Sequence, residues 1–92
     1  MKRFRITWTK RAARNLDAQI DHIAKDSLID ATRQRDRIIA SVSQLYTFPA
    51  RGRPGRIDGT RELVAAPWVI IYQVTGGRVE VLRVLHGRQK FP

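Results

Sequence analysis

The sequence contains no cysteine and few acidic residues, and both absences exclude some classes of protein. Without cysteine there is neither a disulfide framework nor a thiolate metal site. A reducing compartment suits such a chain, and we expect it in the cytoplasm. The chain has 8 acidic residues and 18 lysines and arginines, which gives a formal net charge of +10. Such a field attracts nucleic acid, ribosomes, anionic lipid or an acidic protein partner.

Long apolar runs are also missing. The first ten residues, MKRFRITWTK, alternate polar and apolar side chains instead of forming the apolar segment of a signal peptide. No other stretch approaches the roughly 20 apolar residues that a membrane-spanning helix needs. With 92 residues and 42% hydrophobic content, the chain has material for one modest core. We therefore expect a soluble protein with a single domain over residues 1–92.

Apolar periodicity predicts a strand followed by two helices. Residues 3–8 alternate apolar with basic or hydroxyl side chains, which is the period-two pattern of a half-buried strand. Thr9 is a candidate N-cap for an amphipathic helix that continues to about residue 25. Polar residues at 26–30 indicate a turn with a second N-cap, and a second amphipathic helix follows until Pro49 ends it. The two helices form a tight αα-hairpin.

The rest of the chain predicts a loop and three strands. Residues 49–60, PARGRPGRIDGT, hold two prolines, three glycines and three arginines, so we expect a basic loop without a regular element. Apolar runs then cover Arg61 to Ala66, Trp68 to Thr75 and Arg78 to Leu85, and Gly76-Gly77 predicts a hairpin turn between the last two. The middle run is apolar on both faces, as in a central strand covered on two sides. The order β-α-α-β-β-β predicts an α+β fold, with the helical hairpin packed on a small, curved, largely antiparallel sheet.

Several segments together resemble the RelE/ParE family of toxins from type II toxin–antitoxin systems, over essentially the full chain. They are the loop P-A-R-G-R-P-G-R, G-T-R-E-L-V at 59–64, W-V-I-I-Y-Q-V at 68–74 and V-L-R-V-L-H-G-R-Q-K-F-P at 81–92. The resemblance implies a growth-arresting toxin that a cognate antitoxin neutralises in a hetero-oligomeric complex, by wrapping the helical hairpin and sheet. A basic toxin is met most favourably by an acidic antitoxin.

The resemblance implies one of two targets. RelE-like members cleave messenger RNA on the ribosome, whereas ParE-like members poison DNA gyrase and have no nuclease activity of their own. The G-T-R-E-L and V-L-H-G-R-Q segments are more similar to the ParE branch, and the tail has neither the tyrosine nor the lysine cluster of RelE-like ribonucleases. We predict a gyrase poison, with a ribosome-dependent mRNA endoribonuclease as the alternative. A plain nucleic-acid-binding module also fits the charge, but the sequence has no recognisable groove-reading helix.

If the protein is a ribonuclease, the candidate catalytic residues are Arg61, Arg83 and His86. Cleavage needs an acceptor for the 2′-hydroxyl proton and a cation that stabilises the charge of the transition state. Histidine exchanges protons near neutral pH, and Arg61 matches the arginine of the family's G-T-R-E-L segment. Arg83 has the same parity as Val79 and Val81, so we expect it on an apolar strand face, with either a functional role or a stem that reaches solvent.

Structural roles compete with each of these functional ones. Arg61 has a possible ion pair with Glu80 or with neighbours of Glu62, and His86 a hydrogen bond to backbone at its strand end. We assign no role to His22, and we expect no metal ion and no cofactor. The candidate contacts for a target or polyanion are Arg51, Arg53, Arg56, Arg88, Lys90 and Phe91.

Overall fold

The computed structural model describes residues 3–91, which form two helices packed on a five-stranded sheet. The elements are β1 (Arg5–Trp8), α1 (Lys10–Ala24), α2 (Leu28–Ser43), β2 (Arg53–Pro54), β3 (Arg61–Ala65), β4 (Trp68–Thr75) and β5 (Arg78–His86), with a 3₁₀ turn at Gln44–Tyr46. The strands lie in the order β1-β5-β4-β3-β2. β1 runs parallel to β5, and the other three pairings are antiparallel. The predicted α+β fold is confirmed.

The two helices begin at the hydroxyl residues that cap them. The Thr9 hydroxyl accepts a hydrogen bond from the Ala12 amide at 3.0 Å, and the Ser27 hydroxyl accepts one from the Asp30 amide at 3.1 Å. Ser27 is therefore the cap within the predicted 26–30 turn. The prediction that Pro49 ends α2 is wrong, because the α-helix stops at Ser43 and tightens into the 3₁₀ turn. In that turn the Tyr46 carbonyl accepts the Phe4 amide at 2.9 Å.

The prediction of a wholly irregular loop at 49–60 is also wrong in part. Arg53 and Pro54 form a short edge strand, β2, which pairs with Glu62 and Arg61 of β3. Proline is tolerated there because an edge strand leaves one side of its backbone unpaired. The predicted glycine hairpin is confirmed, since Gly76 and Gly77 have φ values of +54° and +75°.

The sheet has two faces with different covers. The face under α1 and α2, called here the helix face, carries the main core, in which Ile70 and Tyr72 are completely buried. The opposite face, called here the open face, carries a smaller cluster of Val69, Ile71 and Leu85, with partly buried residues of β5 and the C-terminal tail packed on it. The prediction that the middle strand is covered on both sides is confirmed. Across residues 3–91, no helix has both the length and the apolar character to cross a membrane.

A bulge in β5 corrects the predicted orientation of Arg83. Tyr72 pairs with Val81 and the preceding Ile71 pairs with Arg83, so Leu82 is an extra residue in β5. One extra residue reverses the alternation of side chains. Arg83 therefore lies on the open face beside Ile71, while Val81 faces the helices.

Candidate functional site

A buried carboxylate fastens the basic loop to the open face. Glu62 is only 2% exposed, and its carboxylate accepts hydrogen bonds from Arg53 Nη2, Arg56 Nε and the Arg56 backbone amide, each at 3.0 Å. The hydrogen bond from the Arg56 side chain is the main reason why the pKa of Glu62 falls to about 2. Two of the three loop arginines predicted to contact a polyanion are thus ion-paired within the protein.

A tyrosine hydroxyl anchors the start of the same loop. Tyr72 donates to the Pro49 carbonyl at 2.7 Å and accepts from the Gly52 amide at 2.8 Å, and burial raises its pKa. A Cβ on Gly52 would lie 2.7 Å from the Tyr72 oxygen and 2.9 Å from the Glu62 carbonyl, so the close approach of the loop requires glycine. Arg61 Nη1 donates to the Gly52 carbonyl at 2.7 Å. This bond takes the place of the ion pair that we considered as the structural role of Arg61.

The C-terminal tail covers the centre of the open face. Phe91 packs on the cluster that contains Ile71, and the guanidinium carbons of Arg56 and Arg83 each lie 5.5 Å from its ring centroid. Arg56 Nη1 also donates to the Phe91 carbonyl at 3.3 Å. Cation–π contacts at exposed sites contribute about 0.5–1 kcal/mol each. Phe91 is therefore part of the cover of the open face.

Arg83 lies at the edge of a concavity on the open face. Its Nε donates at 3.2 Å to Oδ1 of Asn15 on α1, and the Val84 amide donates to the same oxygen at 3.3 Å. Burial is the main cause of the lowered pKa of Arg83, and the positive charge of Arg11 adds to it. The concavity measures about 450 Å³, and Arg11, Arg83 and Phe91 are among the residues that line it. Two cations and an aromatic ring around one hollow suit an anionic or aromatic ligand group.

The three candidate catalytic residues do not converge. His86 pairs across the sheet with Trp68 on the helix face, where the two rings meet edge to face with centroids 5.6 Å apart. His86 Nδ1 accepts the Arg88 amide at 3.2 Å, which is the strand-end hydrogen bond that we weighed against catalysis. Arg61 pairs with Tyr72 and therefore also lies on the helix-face side. Arg83 instead projects from the open face beside Ile71, and its guanidinium reaches Asn15 of α1.

The fold brings both histidines of the chain to one cavity. His22 and His86 line a space of about 510 Å³ between the helical hairpin and the end of the sheet, together with Asp30, Gln34 and Trp68. The Trp68 indole donates to Gln34 Oε1 at 2.8 Å. No sequence signal links positions 22 and 86, because only the packing of α1 against β5 joins them. Within residues 3–91, no group of three or more His, Cys, Asp or Glu side chains is placed to hold a metal ion.

The other predicted contact residues lie on the surface. Arg51, Arg88 and Lys90 are exposed, and the first of them belongs to the loop that Glu62 and Tyr72 anchor. Sequence reasoning missed Glu62, which holds two loop arginines, and Asn15, which holds Arg83. An acidic residue in an apolar strand, next to a loop with three arginines, is the signal that could have identified Glu62.

Residues 6–91 match the family described as the ParE toxin of the type II toxin–antitoxin system parDE. The chain belongs to this family. The toxin is 47% identical to the putative toxin Y4kP of Sinorhizobium fredii, over 100% of this chain and 97% of the relative. It is 33% identical to the toxin RelE2 of Caulobacter vibrioides, over 88% of this chain and 92% of the relative. The toxin ParE3 of the same organism is 31% identical, over 91% of this chain and 87% of the relative.

Solved structures with this fold include two toxin–antitoxin systems. A chain of the chromosomal ParDE system from P. aeruginosa superposes with a TM-score of 0.83 at 26% identity, over 94% of this toxin and 98% of that chain. A chain of the RelBE2 complex from Mycobacterium tuberculosis superposes with a TM-score of 0.69 at 22% identity, over 91% of this toxin and 98% of that chain. At this identity the likeness supports the fold alone.

Proposed function

We propose that this type II toxin arrests growth by poisoning DNA gyrase, without covalent chemistry of its own, and that a cognate antitoxin neutralises it. The observation that carries the proposal is the family match over residues 6–91, to toxins described as ParE. The positions of Arg61, Arg83 and His86 on two sides of the sheet support it.

The geometry favours binding over cleavage for a simple reason. A general base and the cation that stabilises a transition state must reach the same scissile phosphate within hydrogen-bond distance. Here His86 and Arg61 bond to backbone groups, whereas Arg83 bonds to the side chain of Asn15 on α1. In this arrangement each of the three side chains is bonded to a different protein group, which favours binding over catalysis.

The surface also suits a protein that neutralises the toxin. Leu28 and Ile29 at the start of α2 are 74% and 66% exposed, and Phe48 is 59% exposed. Exposed apolar side chains of this size favour a protein interface. The net charge of +10 favours an acidic partner and a fast encounter with it. An acidic antitoxin that covers these apolar residues fits both properties.

Pulse labelling after induction of the toxin without its antitoxin tests the proposed target. We expect thymidine incorporation to fall within the first minutes, before amino-acid incorporation does. Purified gyrase with plasmid DNA supplies the direct measurement, in which the toxin should inhibit supercoiling or trap cleaved DNA. Arrest of protein synthesis while DNA synthesis continues would contradict the gyrase proposal.

A ribonuclease remains the second candidate, because Arg11, Arg83 and Phe91 line one hollow that suits a nucleotide. His86→Ala separates the two functions. A ribonuclease that uses His86 should lose toxicity in this variant, whereas a gyrase poison should keep it. Undiminished toxicity of the double variant Arg83→Ala and His86→Ala would exclude the ribonuclease mechanism altogether.

A further inference from the structure

Two arginines face each other at one end of the open face, where sequence reasoning placed no site. Arg5 of β1 is the direct partner of Arg78 of β5, and Thr75 of β4 pairs with Arg78 from the other side. Together with Gly76 and Gly77, these residues line a hollow of about 470 Å³. Both arginines are exposed. Like charges that lie directly opposite each other on neighbouring strands repel, so this pair needs a counter-charge.

The rest of the chain supplies little of that counter-charge. Among residues 3–91, neither guanidinium has a hydrogen-bond or ion-pair partner. The nearest acidic residue along β5 is Glu80, two positions beyond Arg78 on the same face, and its carboxylate accepts a hydrogen bond from Gln73 Nε2 at 3.0 Å. The glycine turn beside the pair adds little steric cover, since a Cβ on Gly76 would meet no atom within 4 Å. The hollow is open to a large anion.

The arginine pair and the concavity at Arg83 lie on the same face. Ile71, Gln73 and Thr75 alternate along β4 without interruption and point to the open face, and Arg83 and Arg78 pair with the first and last of them. At about 3.3 Å per residue, the two ends of this stretch of β5 lie roughly 15 Å apart. Over that length of helix axis, one strand of B-DNA carries about four phosphates, at one per 3.4 Å of axis.

We propose that Arg5 and Arg78 bind the phosphodiester backbone of duplex DNA, and that the backbone continues along β5 towards Arg83. The guanidinium fork matches phosphate oxygens, and two forks side by side can hold successive phosphates. The choice of DNA as the nucleic acid rests on the gyrase function proposed above, since a gyrase poison acts where DNA is held. Under this proposal the toxin contacts the DNA of the gyrase complex as well as the enzyme.

Fluorescence anisotropy with a labelled 20-base-pair duplex tests the site at several salt concentrations. The double variant Arg5→Gln and Arg78→Gln removes two phosphate contacts, so the slope of log K against log salt should fall by about 1.8. The affinity at 0.1 M salt should fall roughly 10- to 60-fold. The matched control, Arg35→Gln and Arg37→Gln, removes the same charge from exposed positions of α2 on the other side of the sheet. It should change the affinity less than about threefold, because charges farther than the Debye length are screened.

Two single variants distinguish a loss of DNA binding from a loss of folding. Glu80→Gln removes a negative charge from the proposed path of the backbone and should tighten binding severalfold. Arg78→Glu should abolish the contribution of the site while pairing favourably with Arg5, so the melting temperature should not fall. Equal losses in the arginine double variant and in the α2 control would overturn the proposal, as would an unchanged salt slope.

The outcome is separable from that of the proposed function. If the wild-type toxin poisons purified gyrase but the Arg5 and Arg78 variants bind duplex DNA like the wild type, the site is wrong and the function stands. If the toxin leaves gyrase untouched while the salt slope falls as expected, the anion site stands and the gyrase function is wrong. Tighter binding of a single-stranded RNA of equal length, with the same dependence on Arg5 and Arg78, would overturn DNA as the occupant.

Discussion

The two faces of the sheet are stabilised by different interactions. On the helix face, Ile70, Tyr72 and Val84 are completely buried under α1 and α2. On the open face, the smaller apolar cluster is covered by Phe91 of the tail, over which the side chains of Arg56 and Arg83 are stacked. Apolar burial gives the first face its stability, whereas the second depends on ion pairs and on a terminal segment.

This difference suggests that the helix face stabilises the fold and the open face is the side on which a ligand can bind. A face packed by two helices excludes water from its core and holds its side chains in fixed positions. A face covered by a loop and a tail keeps charged groups near the surface, where they can exchange internal partners for external ones. Arg83 has such an internal partner in Asn15, whereas Arg5 and Arg78 at the other end of the open face have none among residues 3–91, and the helix face contributes the scaffold.

The largest expected effect compares neighbouring isoleucines on opposite faces. Ile70 and Ile71 are 0% and 1% exposed, so both are buried to the same extent. We expect Ile70→Ala to lower the free energy of unfolding by about 4 kcal/mol and Ile71→Ala by about 2 kcal/mol. The difference arises because the tail can move into the cavity on the open face, whereas the helices cannot. Urea unfolding of both variants measures it, and equal losses would break the comparison.

The second effect concerns the carboxylate that holds the open-face loop. Glu62→Gln keeps the shape of the side chain but leaves Arg53 and Arg56 without their counter-charge. We expect a loss of about 2 kcal/mol at pH 7, less than for a fully buried ion pair because the arginines are about half exposed. Glu80→Gln is the matched control, because that carboxylate has no arginine partner within residues 3–91, and it should cost less than about 0.5 kcal/mol.

The pH dependence of stability sharpens this test. The folded-state pKa of Glu62, about 2, lies below the ordinary value of 4.5. The stabilisation is therefore complete above pH 4.5 and is lost as the pH falls towards 2. Wild-type protein should lose this contribution over that window, while Glu62→Gln should lack it throughout. Parallel stability curves for the two proteins would show that the carboxylate does not stabilise the fold through its charge.

The helices and strands of this fold can be predicted from the sequence, but the face of the sheet on which each side chain lies cannot. Alternation at residues 3–8, the caps at Thr9 and within residues 26–30 and the glycine hairpin are local signals, and the structure confirms each of them. The side on which Arg83 lies depends on the extra residue at Leu82, whereas an argument from parity assumes that no residue is inserted in the strand. Parity alone therefore placed Arg83 on the wrong face.

The candidate site was harder to predict for a related reason. Its residues come from α1, the 49–60 loop, β3, β4, β5 and the tail, and their contacts depend on tertiary packing. The three arginines of the loop looked equivalent in the sequence, yet Glu62 pairs with Arg53 and Arg56 and leaves Arg51 exposed. Charge counts give the field around a protein, but the ion pairs inside it decide which cations remain available.

The third effect tests the anchor of the loop on the helix-face side. Tyr72→Phe leaves the Gly52 amide and the Pro49 carbonyl without the hydroxyl that bonds them both. We expect a loss of about 1–2 kcal/mol, together with faster hydrogen exchange at the Gly52 amide. Tyr46→Phe is the control, because that ring is 43% exposed, and its stability should stay within about 0.5 kcal/mol of the wild type. Unchanged exchange at Gly52 in Tyr72→Phe would show that the loop does not need the hydroxyl.

The smallest effect concerns the tail itself. Phe91→Ala removes a partly buried ring and its contacts with two guanidiniums, and we expect it to cost about 1 kcal/mol in urea unfolding. Phe91→Leu keeps the apolar cover but lacks the aromatic face, so it should cost roughly half as much if the cation–π contacts matter. A cost for Phe91→Ala as large as that for Ile70→Ala would mean that the tail closes a core as rigid as the helix face. In that case the open face would not be the exchangeable side of the molecule, and a ligand there would have to displace a structural element.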